Sequence, residues 1–174
     1  MRNWKGHFTA VALAMFQANA WSATALGEIN IQMSGNIVDF TCVAEGSDSD
    51  KTVTLGTWPT KQLGSTGSRT QPMPFTLKLT GCPSGAASIT FSGKADGSNS
   101  GLLALNDAST ASRVAVEIRD ADKTRLALQQ ASQPVSVDAQ GNATLSFYAN
   151  YIATADNPQP GRADADATFM INYN

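Results

Sequence analysis

The chain ends on Gly161-Arg162-Ala163-Asp164-Ala165-Asp166-Ala167-Thr168-Phe169-Met170-Ile171-Asn172-Tyr173-Asn174, and this stretch decides how the rest is read. Ala163, Ala165, Ala167, Phe169, Ile171 and Tyr173 share one parity, while Arg162, Asp164, Asp166, Thr168, Met170 and Asn172 share the other. In an extended chain successive side chains point to opposite faces, so a period of two over a dozen residues predicts a β-strand with one buried face. A strand also has a row of backbone N–H and C=O groups that need a partner strand. What pairs with this last strand is the question the sequence poses.

Working back from it, strand patterns recur at short intervals. Met73 to Thr80 alternates with Phe75, Leu77 and Leu79 inward; Ala87 to Gly93, Val114 to Ile118, Pro134 to Val137 and Ala143 to Ile152 read as further strands. Val53-Thr54-Leu55-Gly56 reads as a short strand, and Leu102-Leu103-Ala104-Leu105 as a strand end or a helical turn. Trp58-Pro59, Gly64 to Gly67, Cys82-Pro83-Ser84-Gly85 and Asn157-Pro158-Gln159-Pro160 are turn material. No window shows helical periodicity. Short strands separated by Gly, Pro and Asn turns predict an all-β sandwich or barrel.

The other end of the chain is of a different kind. Arg2 and Lys5 precede a short apolar run, Phe8 to Phe16, and Ala18-Asn19-Ala20 is a small-residue cleavage pattern. Residues 1–20 are expected to be a secretory signal peptide, with Ala23-Thr24-Ala25 as a second possible cleavage site. The run is too short to span a bilayer as a helix. Removing Arg2 and Lys5 takes the net charge from −2 to −4, which argues against a nucleic-acid partner or an anionic membrane surface. His7, the single histidine, leaves with the signal, and histidine-dependent catalysis or metal ligation leaves with it. Cys42 and Cys82 remain; an even count behind an export signal predicts one disulfide. By chain entropy that crosslink is worth about 4 kcal/mol. A disulfide from an early strand to a later one suits an immunoglobulin-like sandwich.

The chemical signals within the body are weak. Asp96-Gly97-Ser98-Asn99-Ser100-Gly101, with Asp107 at the twelfth place, partly matches a calcium-binding loop, but its flanks read as strand and a polar turn is the expectation. Asn142-Ala143-Thr144 is a glycosylation sequon. Asp120 with Asp122, and Asp164 with Asp166, are i, i+2 pairs that read as solvated strand faces rather than an acid–base pair. No catalytic residue, metal site or cofactor is expected.

One strand remains, ahead of the first cysteine. Ile29, Ile31, Met33, Gly35 and Ile37 share one parity, and Asn30, Gln32, Ser34 and Asn36 the other. On pattern alone this is as readily the first strand of the chain's own sheet as a segment that pairs elsewhere. Its glycine lies on the apolar face, where another backbone or bulky group comes close. Taken together, the alternating strand with Gly35 seven residues before Cys42, the Cys42–Cys82 pair, Leu102-Leu103-Ala104-Leu105, Phe147-Tyr148-Ala149-Asn150-Tyr151-Ile152-Ala153-Thr154, and Gly161 through Tyr173 resemble the pilin subunits of chaperone–usher fimbriae, of the type 1 class and closer to its minor, adaptor-type members. The departure is Asn150, where many relatives carry Arg.

The resemblance implies an incomplete immunoglobulin-like sandwich, residues 41–174, that lacks its last strand and is completed by a donor strand. Residues 21–40 become a donor-strand extension, with Ile29, Ile31, Met33 and Ile37 entering a neighbour's groove and Gly35 sitting where the floor leaves no room. Burying four such side chains is worth about 6–12 kcal/mol before ordering costs. Gly161, Ala163, Ala165, Ala167, Phe169, Ile171 and Tyr173 become the groove edge that a periplasmic chaperone holds. The implied partners are that chaperone, an outer-membrane usher and neighbouring subunits. The implied product is a structural subunit of the surface fimbrium of a Gram-negative bacterium, supporting cell adhesion. A tip adhesin that binds glycans, or a secreted β-sandwich module that folds alone, are the alternatives.

Overall fold

The computed structural model describes residues 42–173. The chain divides into two compact units, Met1–Ile37 and Val38–Asn174, and every described residue belongs to the second. The expected signal peptide and the expected donor strand, Ile29 to Ile37, lie outside the described residues.

Among the described residues, seven strands and one 3-10 turn make up the regular structure. They are β1 (Val43–Ala44), the turn Thr60–Leu63, β2 (Met73–Thr80), β3 (Ala86–Gly93), β4 (Val114–Arg119), β5 (Val135–Ser136), β6 (Ala143–Ala153) and β7 (Ala167–Tyr173). They form two antiparallel sheets, β1-β2-β6-β4 and β5-β3-β7. The alternations seen in the sequence supply the inner faces. Leu77 and Leu79 from β2, Ile89 and Phe91 from β3, Val116 and Ile118 from β4, and Leu145 and Phe147 from β6 are buried in one core. Its centre is aromatic: Phe147 meets Phe91 edge-on with ring centres 5.1 Å apart and lies 5.5 Å from Phe75, and Phe91 lies 6.5 Å from Phe169. Such contacts add about 1 kcal/mol beyond the area they bury.

Cys42 and Cys82 are joined as expected. They stand just before β1 and just after β2, where Val43 is opposite Thr80, so the bond closes the end of the shortest ladder in the four-stranded sheet. All-β class, sandwich architecture and disulfide agree with the sequence reading.

Three elements differ from expectation. Val53 to Gly56 is not a strand: Gly56 takes φ +83° and the Trp58 indole N–H donates to the Leu55 carbonyl at 2.6 Å, so a turn uses the acceptor a ladder would need. Leu55 still packs on the core. Leu102 to Leu105 is neither strand nor helical turn; Leu103 makes isolated bridges to Ala95 and to Val116, the latter with both bonds at 2.9 Å. The closing strand begins at Ala167, not Gly161.

Candidate functional site: the free edge of β7

β7 lies against β3 in register, Phe91 opposite Phe169, Ile89 opposite Ile171 and Ala87 opposite Tyr173. On its other side no strand pairs with it among the described residues. The outer edge of β4 is treated differently, since Leu103 and Leu126 bond to Val116 and Ile118 there. Thr168 and Asn172 both turn their polar groups toward β3, to the Ser92 carbonyl and the Thr90 hydroxyl, which leaves the far edge to bare backbone.

The side chains tell the same story. Phe169 and Ile171 touch the core yet stay half-buried, as does Ala165. Ala167 is exposed, and Tyr173 keeps 50 % of its surface. In a closed sandwich this parity would be covered by the next strand. Met170, on the outward parity, is 59 % exposed.

The first half of the expected strand is held by a loop instead. The Arg162 carbonyl accepts from the Thr110 and Ala111 amides at 2.9 and 3.0 Å, and the Asp164 carbonyl accepts from the Asn106 amide at 2.8 Å. The Ser109 hydroxyl donates to the same Asp164 carbonyl at 2.9 Å and accepts from the Asp164 amide at 2.8 Å. The Arg162 guanidinium reaches the Ala108 carbonyl. From the inside, the Tyr151 hydroxyl donates to the Ala163 carbonyl at 2.6 Å. Burial pushes that phenol up and the nearby Asp164 charge pushes it the same way, so it stays a donor at ordinary pH. Alternation survives without a ladder: Ala163 and Ala165 are half-buried, whereas Arg162, Asp164 and Asp166 are exposed.

Gly161 has a specific reason to be glycine. A Cβ there would fall 2.6 Å from the Thr110 carbonyl carbon and closer still to the Ala111 amide, a distance at which backbone must move.

A second opening borders the same core. β1 ends at Ala44, so nothing described pairs with the Met73 end of β2 beyond it. A cleft of about 460 Å³ lies there, between Lys51–Thr54 and Met73–Thr76. Phe75, on its wall, is 6.2 Å from Phe91, which in turn meets Phe169 of β7. The two open edges therefore share one set of rings.

Of the sequence-predicted residues, the structure brings Ala163, Ala165, Phe169 and Ile171 to the open side of the core, and sets Gly161, Ala167 and Tyr173 at its margin. Sequence reasoning missed the 106–111 brace and Tyr151. The polar run Asn106-Asp107-Ala108-Ser109-Thr110 was visible, but nothing in it names the carbonyls it serves. Asp96 is a turn residue: its Oδ1 accepts from the Ser98 and Asn99 amides.

An antiparallel two-sheet sandwich with a crosslinked first ladder and a half-buried final strand that is paired on one side only among the described residues is an immunoglobulin-like fold. The fimbrial protein family matches residues 31–174, and the chain belongs to it. It is 56 % identical over 167 residues to a fimbrial-like protein, FimF, of Salmonella typhimurium strain LT2, covering 96 % of each chain. It is 34 % identical to a type 1 fimbrial subunit of Salmonella typhimurium, covering 94 % of this chain and 91 % of that one. Among solved structures, a Burkholderia pseudomallei antigen and type I fimbria protein superposes with TM-score 0.60 at 27 % identity, over 78 % of this chain and 91 % of that one. The P pilus rod subunit PapA superposes with TM-score 0.62 at 17 % identity, over 76 % and 99 %, which shows the shared fold. The chain is thus a structural subunit of the cell-surface fimbria of Gram-negative bacteria.

Proposed function

We propose that this subunit is assembled by strand donation in both directions. Its open edge at β7 takes a strand first from a periplasmic chaperone and then, at the outer-membrane usher, from the next subunit; its own Ile29, Ile31, Met33, Gly35 and Ile37 fill the groove of a neighbour. It has a building role and no enzymatic one, and it sits between two other subunits as an adaptor would. The observation that carries this reading is the free edge of β7, whose Phe169 and Ile171 touch the core but stay half-exposed. Left open, such an edge is an aggregation hazard, because unpaired N–H and C=O groups border apolar surface. A donated strand supplies hydrogen bonds to the edge and side chains to the core in one step.

The test is a form lacking residues 21–37. It should co-purify with the chaperone in normal yield, because β7 is intact, and should fail to displace the chaperone from a second subunit. Normal incorporation of the shortened form between two subunits would overturn the donor assignment. Loss of chaperone binding would overturn the assignment of β7 as the receiving edge.

A further inference from the structure

On the outer face of the four-stranded sheet, away from the β7 edge, three arginines converge on one carboxylate. In β4 the run Val114–Ile118 is apolar but for Glu117, whose side chain is fully buried, and Arg119 closes the strand. It accepts from Arg69 Nε at 2.8 Å and Nη2 at 3.4 Å, from Arg119 Nε at 3.0 Å and Nη2 at 2.8 Å, from Arg125 Nε at 2.6 Å, and from the Asn150 amide at 3.2 Å. A carboxylate has about four lone-pair positions, so Glu117 is saturated. One guanidinium would have neutralised it; two positive charges are left over.

The remaining donors divide unevenly. Arg69 Nη1 donates to the Gly67 carbonyl and Arg119 Nη1 to the Lys123 carbonyl. For Arg125, neither Nη atom has an acceptor among the described residues, and its side chain is 34 % exposed. Nor does any of the three arginines pair with a second carboxylate among them. The nearby Asp120 and Asp122 are taken up by the Ala121 and Gln133 amides and by Thr124 and the Gln133 side chain. Backbone holds Arg125 in place, since Arg119 and Arg125 face each other across the turn 120–124.

Arg69 and Arg125 open onto a cavity of about 200 Å³, whose wall includes Thr66, Ser98, Asn99 and Thr154. The hydroxyls of Thr66 and Ser98 already donate, to Asp156 and Asp96. Having donated, each hydroxyl oxygen keeps lone pairs with which to accept, which suits hydroxyl donors and not a bare anion. Arg125 offers a planar pair of N–H groups, the geometry that matches a carboxylate in two parallel bonds.

We propose that this cavity is a binding site for a polyhydroxylated carboxylate of the sugar-acid class, its carboxylate clamped by Arg125 beside Arg69 and its hydroxyls received by Thr66 and Ser98. It is separate from the strand-accepting edge, because β7 belongs to the other sheet.

The experiment titrates the chaperone-bound subunit with glucuronate, with glucose and with acetate, following the subunit's amide and arginine Nε resonances. Glucuronate should bind saturably and glucose should not, with acetate at least tenfold weaker than glucuronate. Arg125→Gln should weaken glucuronate about tenfold. Ser98→Ala, which removes one of the proposed hydroxyl acceptors and leaves every bond to Glu117 in place, should weaken it about threefold, so that the result does not depend on the arginine variant folding. Lys78→Gln, exposed at the far end of β2 from Glu117, should leave it unchanged. The proposal is overturned by the absence of saturable glucuronate binding, by equal affinity in both cavity variants and the parent, or by acetate binding as tightly as glucuronate. The last result would make the cluster a simple anion site, open to an acidic side chain of a neighbouring subunit.

Discussion

Glu117 shows how a single residue can depart from its element for a reason. Buried within β4, it is tolerated because Arg69, Arg119, Arg125 and Asn150 all donate to it. Burial pushes its carboxyl up; the hydrogen bonds from Arg69, Arg125, Arg119 and Asn150 more than reverse this and hold it at about 2, down from 4.5. A folded value below the unfolded one means stability that is fully present above pH 4.5 and is lost as pH falls from there toward 2. The acid branch of the unfolding curve, followed on subunit filled with a donor peptide, should therefore flatten in Glu117→Gln. At neutral pH the same change should cost about 3 kcal/mol, since it leaves three guanidiniums crowded without a counter-charge; the urea midpoint measures it. Gly161 departs for the opposite reason, lack of space. Gly161→Ala should displace the Thr110–Ala111 backbone and cost about 1–3 kcal/mol, seen as a lower periplasmic yield of chaperone complex. An unchanged yield would mean that the brace gives way easily.

At the level of the element, the closing stretch is one pattern and two structures. From 161 to 166 its backbone is served by the loop 106–111, and from Ala167 to Tyr173 by β3. Alternation was legible throughout because it records which side chains meet the core. The partner of the backbone was not, because any extended neighbour, loop or strand, satisfies the same groups. Val53 to Gly56 shows the converse: its side chains read as a strand, but a turn at Gly56 and the Trp58 indole remove it from a ladder. The Tyr151 hydroxyl ties the first half to β6 at Ala163. Tyr151→Phe should cost about 1 kcal/mol and speed amide exchange at 162–166 more than in β7; equal protection in parent and variant would contradict this. The proposed donor strand carries its own element-scale expectation. Gly35→Leu puts a large side chain on the face that enters a neighbour's groove, and strand exchange in vitro should slow or stop, whereas an unchanged rate would remove the close-approach argument.

For the whole molecule, the question is how an open sandwich holds together at all. Part of the answer is the disulfide, which ties β1 to β2 at the shortest ladder of the four-stranded sheet. Replacing both cysteines by serine should remove about 4 kcal/mol and lower the amount of subunit that the chaperone captures, measured as complex recovered per cell. Class, strand positions, inward faces and the cysteine pair were all readable from the chain, because each is a local property: period two marks a face, Gly and Pro mark a turn, and two cysteines allow one bond. Tertiary structure alone decided which strand lies beside which, that among the described residues β4 has its outer edge covered while β7 does not, that a loop and not a strand carries residues 161–166, and that Glu117 gathers arginines from positions 69, 119 and 125. Those are contacts between residues far apart in sequence, chosen by what the folded backbone brings within hydrogen-bonding distance, and no local pattern encodes them.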